Sequence, residues 1–132
     1  EIEYLGDLRT QSTHFQSNNQ ILTDAPVDNK GKGGAFSPTD LFASALASCM
    51  LTIMGIAAEA RKIDIKGARA AVQKIMSENP RQISEIHIAI TFRTKLSTKE
   101  KNILEKAAKH CPVGKSISSK IKEVIVFNYL SE

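Results

Sequence analysis

Apolar and polar residues alternate in short runs towards both ends of the chain and give way to one long apolar run between them. The alternation over residues 2–15, with a central turn, and over residues 20–23 predicts short early strands. Residues 37–62 contain no charged side chain between Asp40 and Glu59, and their apolar residues fall on every side of a helical projection. This pattern predicts a helix that is buried all round.

The start of this helix is marked by Ser37, a good N-cap, and by Pro38, which suits the first helical position. Cys49 therefore lies near the centre of the helix. The apolar run is about as long as a minimal membrane span of about 18 residues. Its content of Ala, Ser, Gly and Thr and its strand-rich flanks nevertheless favour the core helix of a soluble protein over a membrane span.

A second set of elements follows the helix. Residues 65–76 are interpreted as a strand, residues 78–81 as a turn, and residues 83–94 as the clearest strand of the chain. In this strand alternate residues form one apolar face, which consists of Ile86, Ile88, Ile90 and Phe92. That face is expected to cover a core while the other face meets water.

The C-terminal part of the chain predicts a helix and a final strand. Ser97 and Glu100 have the spacing of a capping box that opens a second helix, and Cys111 is expected at the buried end of that helix. Residues 121–130 are apolar on both faces, which predicts a strand well inside a sheet. The order of the elements indicates a single α+β domain over residues 1–132.

Composition narrows the possible functions. The length of 132 residues suits one domain. The net charge is +4, the lysines are dispersed and Trp is absent, so nucleic-acid binding through stacked bases is not expected. The glycine-rich residues 29–35 lack the spacing of a phosphate-binding loop and are interpreted as a flexible approach to the helix. No signal peptide is visible, and the two cysteines lack CxxC or Cys/His metal spacing, which favours the reducing cytoplasm and no bound metal.

The pattern leaves two interpretations of Cys49 and Cys111 open. Both are small packing residues, or one is a reactive thiol and the other its resolving partner. An unperturbed thiol is only about 3% ionised at pH 7, and burial lowers that fraction. A guanidinium at about 4 Å stabilises a thiolate by about 4 kcal/mol at an effective dielectric constant of about 20. Arg9 is the leading candidate for this cation, because Arg61 lies about three helical turns from Cys49.

The three histidines are interpreted as structural residues. His14 and His87 lie on predicted strands without an evident partner, and His110 is placed to interact with the last carbonyls of the second helix. A Cys-His hydrolase that uses His110 is disfavoured, because an adjacent residue at a helix end is poorly placed to act as the base for Cys111.

Two motifs resemble the cysteine motifs of the OsmC/Ohr family, the osmotically inducible and organic hydroperoxide resistance proteins: SPTDLFASALASC at residues 37–49 and HCPVGKSI at residues 110–117. The resemblance implies an OsmC-like fold in an intertwined homodimer, with two sheets wrapped around two long central helices. It also implies a thiol peroxidase without a cofactor, in which Cys49 becomes a sulfenic acid on attack at the peroxide and Cys111 condenses with it to a disulfide. Arg9 matches the arginine that holds the thiolate and polarises the peroxide.

The resemblance further suggests the substrate and the reductant. Phe42, Leu46 and Ile53 lie within about two turns of Cys49 on its side of the helix and are expected to line an apolar pocket that favours organic hydroperoxides. The expected reductant is a dithiol, for example a dihydrolipoyl protein. The alternative is a non-enzymatic module whose apolar cavity binds a small hydrophobic ligand.

One position departs from the family pattern. Hydroperoxide-resistance members have a glutamate just after the helix-opening proline, and this glutamate holds the arginine. The present chain has Thr39 there, followed by Asp40. Three outcomes stay open: Asp40 takes over the contact with Arg9, Arg9 is held differently, or the activity is weakened.

Overall fold

The structure is a computed structural model that describes residues 1–130, and the chain divides into two compact units, Glu1–Phe42 and Ala43–Glu132. The single domain over residues 1–132 stays a prediction. The elements in chain order are β1 (Ile2–Gly6), β2 (Arg9–Thr13), β3 (Gln20–Asp24), a 3-10 helix (Val27–Asn29), α1 (Pro38–Ala60), β4 (Arg69–Ser77), β5 (Gln82–Phe92), α2 (Thr98–Ala108), α3 (Pro112–Ser116) and β6 (Lys122–Tyr129). Sheets and helices are both present, so the predicted α+β class is confirmed.

The first unit contains an antiparallel sheet in the order β1-β2-β3. Both early strand regions are confirmed, and the register places Arg9 of β2 opposite Asp24 of β3. The glycine-rich loop that follows folds back on the end of β3, because the Gly31 and Gly33 N–H groups donate to the Pro26 and Ala25 carbonyl oxygens. A Cβ atom at position 31 would lie 1.8 Å from the Ala25 oxygen, so only glycine fits there.

The second unit contains a sheet in the order β4-β5-β6, in which β4 and β5 are antiparallel and β5 and β6 are parallel. The predicted apolar face of β5 is confirmed, since all four of its residues are buried. The prediction that the last strand lies inside a sheet is wrong for the described part of the chain. There β6 pairs with β5 alone, and Val126 on its outer face is 50% exposed.

The long helix α1 begins as predicted. The Ser37 hydroxyl accepts a hydrogen bond from the Asp40 N–H at 3.0 Å, and the Asp40 carboxylate accepts one from the Ser37 N–H at 2.9 Å. Burial all round is wrong, because the buried positions form a single stripe. That stripe consists of Ala43, Leu46, Ala47, Met50, Met54 and Ala58. Elsewhere on the helix Phe42 is 40% and Ile56 is 60% exposed, so this chain leaves apolar helix surface uncovered.

By length and composition alone, α1 also meets the requirements of a membrane span. Core helices of soluble proteins meet the same requirements, and a third of the most apolar part of α1 is buried in this chain. The rest of the described chain forms two sheets and a capped amphipathic helix.

The capping box of α2 is confirmed, with Ser97 and Glu100 each accepting a hydrogen bond from the backbone N–H of the other. The placement of Cys111 at the end of this helix is wrong, because α2 ends at Ala108. Cys111 is instead the N-cap of α3, where its sulfur accepts the Gly114 N–H at 3.3 Å. Pro112 suits the first position of the new helix, because a backbone N–H at that position would have no partner within the helix.

Candidate active site

The second unit brings its two cysteines close together. Cys49 is half-buried on the middle of α1, and Cys111 is only 2% exposed at the start of α3. Both are free thiols, and Cys49 lies close enough to Cys111 to raise the pKa of the Cys111 thiol. Two residues that are 62 positions apart in the sequence therefore meet in one reduced thiol pair.

The surroundings of Cys111 keep its thiol protonated. Burial raises the pKa of Cys111, and the neighbouring Cys49 and the carboxylate of Glu123 raise it further. The Gly114 N–H that caps onto the sulfur acts in the opposite direction. Because desolvation is the largest of these effects, Cys111 is a thiol at neutral pH.

Glu123 is a member of this site that the sequence analysis missed. The space that a Cβ atom at Gly114 would occupy is bordered by Cys111 Sγ at 3.2 Å, Leu46 Cδ1 at 3.5 Å and Glu123 Oε1 at 3.9 Å. Burial also raises the pKa of the Glu123 carboxyl. Glu123 stands near the start of an apolar strand, and its proximity to Cys111 arises from tertiary structure, which no local sequence pattern signals.

The replacement Glu123→Gln is expected to shift the pH dependence of disulfide formation towards lower pH. Without the carboxylate the pKa of Cys111 falls, and a larger fraction of this thiol is ionised at any pH below its pKa. The rate at which Cys49 and Cys111 form a disulfide after an oxidant is added, followed by stopped flow against pH, measures the shift. Glu78→Gln, in the exposed turn after β4, is the matched control, and an equal shift in both variants would contradict the assignment.

The predicted substrate residues differ in their surroundings. Leu46 is fully buried and forms a wall of the space beside Cys111, whereas Ile53 is half-buried against the core of the second unit. Phe42 is the last residue of the first unit and is 40% exposed. The structure therefore places Leu46 next to the thiol pair.

Two depressions of the second unit lie away from the cysteines. One, of about 310 Å³, is apolar and lies on the outer side of the β4-β5-β6 sheet around Ala71, His87 and Val124. The other, of about 240 Å³, is lined by Arg61, Ile63, Lys99, Glu100 and Ile103. Neither contains the predicted substrate residues, so neither is the pocket that the sequence analysis describes.

The predicted cation Arg9 lies in the first unit, on β2. Its Nε atom is 3.9 Å from Oδ2 of Asp24, a carboxylate to which the sequence analysis assigns no role. Asp40 accepts the N–H of Ser37, and the Thr39 hydroxyl is hydrogen-bonded to that of Ser37 at 3.1 Å. In the described part of the chain, the carboxylate beside Arg9 is that of Asp24.

The histidines occupy structural positions. His14 follows β2 and is hydrogen-bonded to Ser17, and His87 lies on β5 and pairs with Glu85, so the expectation that these two lack partners is wrong. His110 contacts the Lys106 carbonyl oxygen at 2.8 Å in the last turn of α2. Over residues 1–130, no group of three or more His, Cys, Asp or Glu side chains could hold a metal ion.

Known proteins are similar to this chain over most of its length. The family model for OsmC-like proteins matches residues 31–125. No curated protein matches the sequence significantly.

Solved structures share the fold. A protein of Psychrobacter arcticus, provisionally named an osmotic stress induced and detoxification response protein, is 55% identical, with a TM-score of 0.94 over 97% of this chain and 93% of its own. An OsmC-like protein of Mycoplasma pneumoniae is 22% identical, with a TM-score of 0.79 over 98% and 94% of the two chains. An organic hydroperoxide resistance protein of Legionella pneumophila is 16% identical, with a TM-score of 0.76 over 97% and 93%.

Proposed function

Because this chain belongs to the OsmC/Ohr family, we propose that it is a thiol-dependent peroxidase that reduces organic hydroperoxides. The observation that carries the proposal is the proximity of the free thiols of Cys49 and Cys111, with the Leu46 side chain, one turn before Cys49 on α1, bordering the same space as the Cys111 sulfur. A pair that serves only packing has no need to place two oxidisable sulfurs side by side. A peroxidatic cysteine needs its resolving partner within bonding reach.

The proposed cycle has three steps. The Cys49 thiolate attacks the outer peroxide oxygen, the O–O bond breaks, and the alcohol leaves with a proton while Cys49 becomes a sulfenic acid. Cys111 then attacks the Cys49 sulfur as a thiolate, and the hydroxide that leaves takes up the Cys111 proton as water. An external dithiol, for which we propose a dihydrolipoyl protein, reduces the disulfide by thiol exchange and supplies two electrons.

The same proposal assigns the remaining site residues. Leu46, with Phe42 and Ile53, supplies the apolar contacts that favour an organic peroxide over hydrogen peroxide. Arg9 stabilises the Cys49 thiolate and the peroxide, since a guanidinium is the cation best suited to a developing oxyanion. Thr39 and Asp40 lie at the start of α1, where their hydrogen bonds with Ser37 stabilise the first turn.

We further propose a cytoplasmic homodimer. Proteins of this family are typically homodimers, and here apolar side chains stay exposed both on α1, such as Ile56, and on the N-terminal sheet, such as Ile2 at 71% and Tyr4 at 64%. Exposed apolar patches are characteristic of protein interfaces. The two free cysteines suit a reducing compartment.

A thiol count tests the peroxidase proposal. The reduced chain is treated with one equivalent of cumene hydroperoxide, and we expect the loss of two free thiols per chain together with a Cys49–Cys111 disulfide in the peptide masses. A parallel sample with hydrogen peroxide is expected to react more slowly. If both thiols persist and the peroxide is not consumed, the peroxidase is rejected in favour of a module that binds a small hydrophobic ligand.

A further inference from the structure

Asp24, at the end of β3, is a buried carboxylate whose polar atoms are incompletely satisfied. It is 2% exposed, and its Oδ2 accepts the Gly34 N–H at 2.9 Å. Its Oδ1 is buried and has no hydrogen-bond partner within residues 1–130. A buried carboxylate is costly unless a positive group lies beside it, so the structure must provide one.

Arg9 is that positive group. The two residues face each other across β2 and β3, and the Arg9 Nε atom is likewise buried without a hydrogen-bond partner in the described chain. The separation of 3.9 Å between Nε and Oδ2 is an ion pair and is too long for a hydrogen bond. The Arg9 side chain is nevertheless 39% exposed, so the pairing leaves part of it accessible.

The segment that leads to α1 is built around the same carboxylate. A Cβ atom at Gly34 would lie 3.0 Å from Asp24 Oδ2, and the Asp24 N–H donates to the Phe36 carbonyl oxygen at 3.0 Å. The next residue, Ser37, forms the cap of α1 with Asp40. The carboxylate next to Arg9 is thus fixed by its own strand and by the backbone just before the helix.

We propose that Asp24 is the positioning residue for Arg9 in the peroxidase reaction, and so takes the part that the family pattern gives to a glutamate at the place of Thr39. The inference rests on the proposed function. Asp24 contacts no reacting atom in this scheme and acts by holding one edge of the guanidinium. The guanidinium, held at its Nε edge, then presents its other nitrogens in a fixed orientation.

The replacement Asp24→Asn removes the charge and keeps an oxygen that can accept the Gly34 N–H. We expect kcat/KM for cumene hydroperoxide to fall about 10- to 100-fold, because misplacement of a catalytic group by about 1 Å has effects of this size. Asp7→Asn, in the exposed turn between β1 and β2, makes the same chemical change and is expected to keep full activity. Its backbone φ of 55° is one that Asn tolerates.

A double-mutant cycle with Arg9→Lys separates positioning from a general structural role. If Asp24 acts through Arg9, the double variant loses no more activity than Arg9→Lys alone, whereas multiplied losses would overturn the proposal. If Asp24→Asn does not fold, Gly34→Ala crowds the carboxylate while it preserves every charge. We then expect the same coupling to Arg9, and its absence would also overturn the proposal.

The Arg9 Nε–H signal in the ¹⁵N NMR spectrum gives a measure that does not depend on activity. We expect this signal to move and to exchange faster with water in Asp24→Asn, and to be unaffected in Asp7→Asn. An unmoved signal would reject the role of Asp24 even in an active peroxidase. A wild-type chain that consumes no peroxide would instead reject the proposed function, while the signal still decides whether Asp24 holds Arg9.

Discussion

Replacement of Cys49 by serine is expected to reduce peroxide consumption to the level of buffer alone. Serine retains the shape of the side chain on α1, but its hydroxyl is not ionised at neutral pH and does not form a sulfenic acid. Consumption of cumene hydroperoxide in the presence of excess dithiothreitol measures the loss. The expected effect is total, because no second residue of the scheme attacks the peroxide.

Ser48→Ala is the matched control for this experiment, since Ser48 is the exposed neighbour of Cys49 on the same helix. We expect this variant to consume peroxide at the wild-type rate. Steady turnover by Cys49→Ser would exclude Cys49 as the peroxidatic residue and would remove the basis of the proposed cycle.

Replacement of Cys111 by serine is expected to convert steady turnover into a single reaction. Cys49 still attacks the first peroxide, but its sulfenic acid has no adjacent thiol and proceeds to sulfinic and sulfonic acids when peroxide is in excess. Serine is a good N-cap, so α3 is expected to keep its start. With a single equivalent of peroxide, rapid-mixing kinetics should show that equivalent consumed, and mass spectrometry should place one added oxygen on Cys49.

The outcome that contradicts a resolving role is continued turnover of Cys111→Ser at the wild-type rate. Such a result would mean that the external dithiol attacks the Cys49 sulfenic acid directly. Cys111 would then be a packing residue that happens to contact Cys49.

The sequence predicted those elements whose signals are local. The strands around Arg9 and Ile88 follow from alternation, and the starts of α1 and α2 follow from cap residues that bond to backbone groups three positions away. The predicted position of Cys111 is wrong because a proline after a cysteine is equally compatible with the end of one helix and with the start of another. The structure shows that the second of these readings applies, since α3 begins at Pro112.

The predictions of burial failed where the residues are apolar on all sides. The sequence of α1 and of β6 indicates complete burial, yet in this chain Ile56 and Val126 are exposed. The hydrophobic periodicity of a segment shows how much apolar surface the segment has. It does not show whether residues of the same chain bury that surface. A second copy of the chain, as proposed above, would account for both errors in the same way.

The site was predictable to the extent that its motifs lie along single elements. The pairing of Cys49 with Cys111 follows from the resemblance, whereas Asp24 and Glu123 depend on tertiary structure. Asp24 meets Arg9 through strand register, and Glu123 of β6 borders the same space at Gly114 as the Cys111 sulfur. The spacing of these residues in the sequence predicts neither pair, because each pair comes together only in the folded chain.

The sulfur of Cys111 has a second task, because it also holds the first turn of α3 through the Gly114 N–H. A covalent bond to Cys49 would reorient that sulfur and weaken its hydrogen bond with the Gly114 N–H. Each catalytic cycle would then loosen and restore a short surface helix. A reducing partner could thus distinguish spent from ready molecules by the local order of the polypeptide, before any chemical exchange at sulfur.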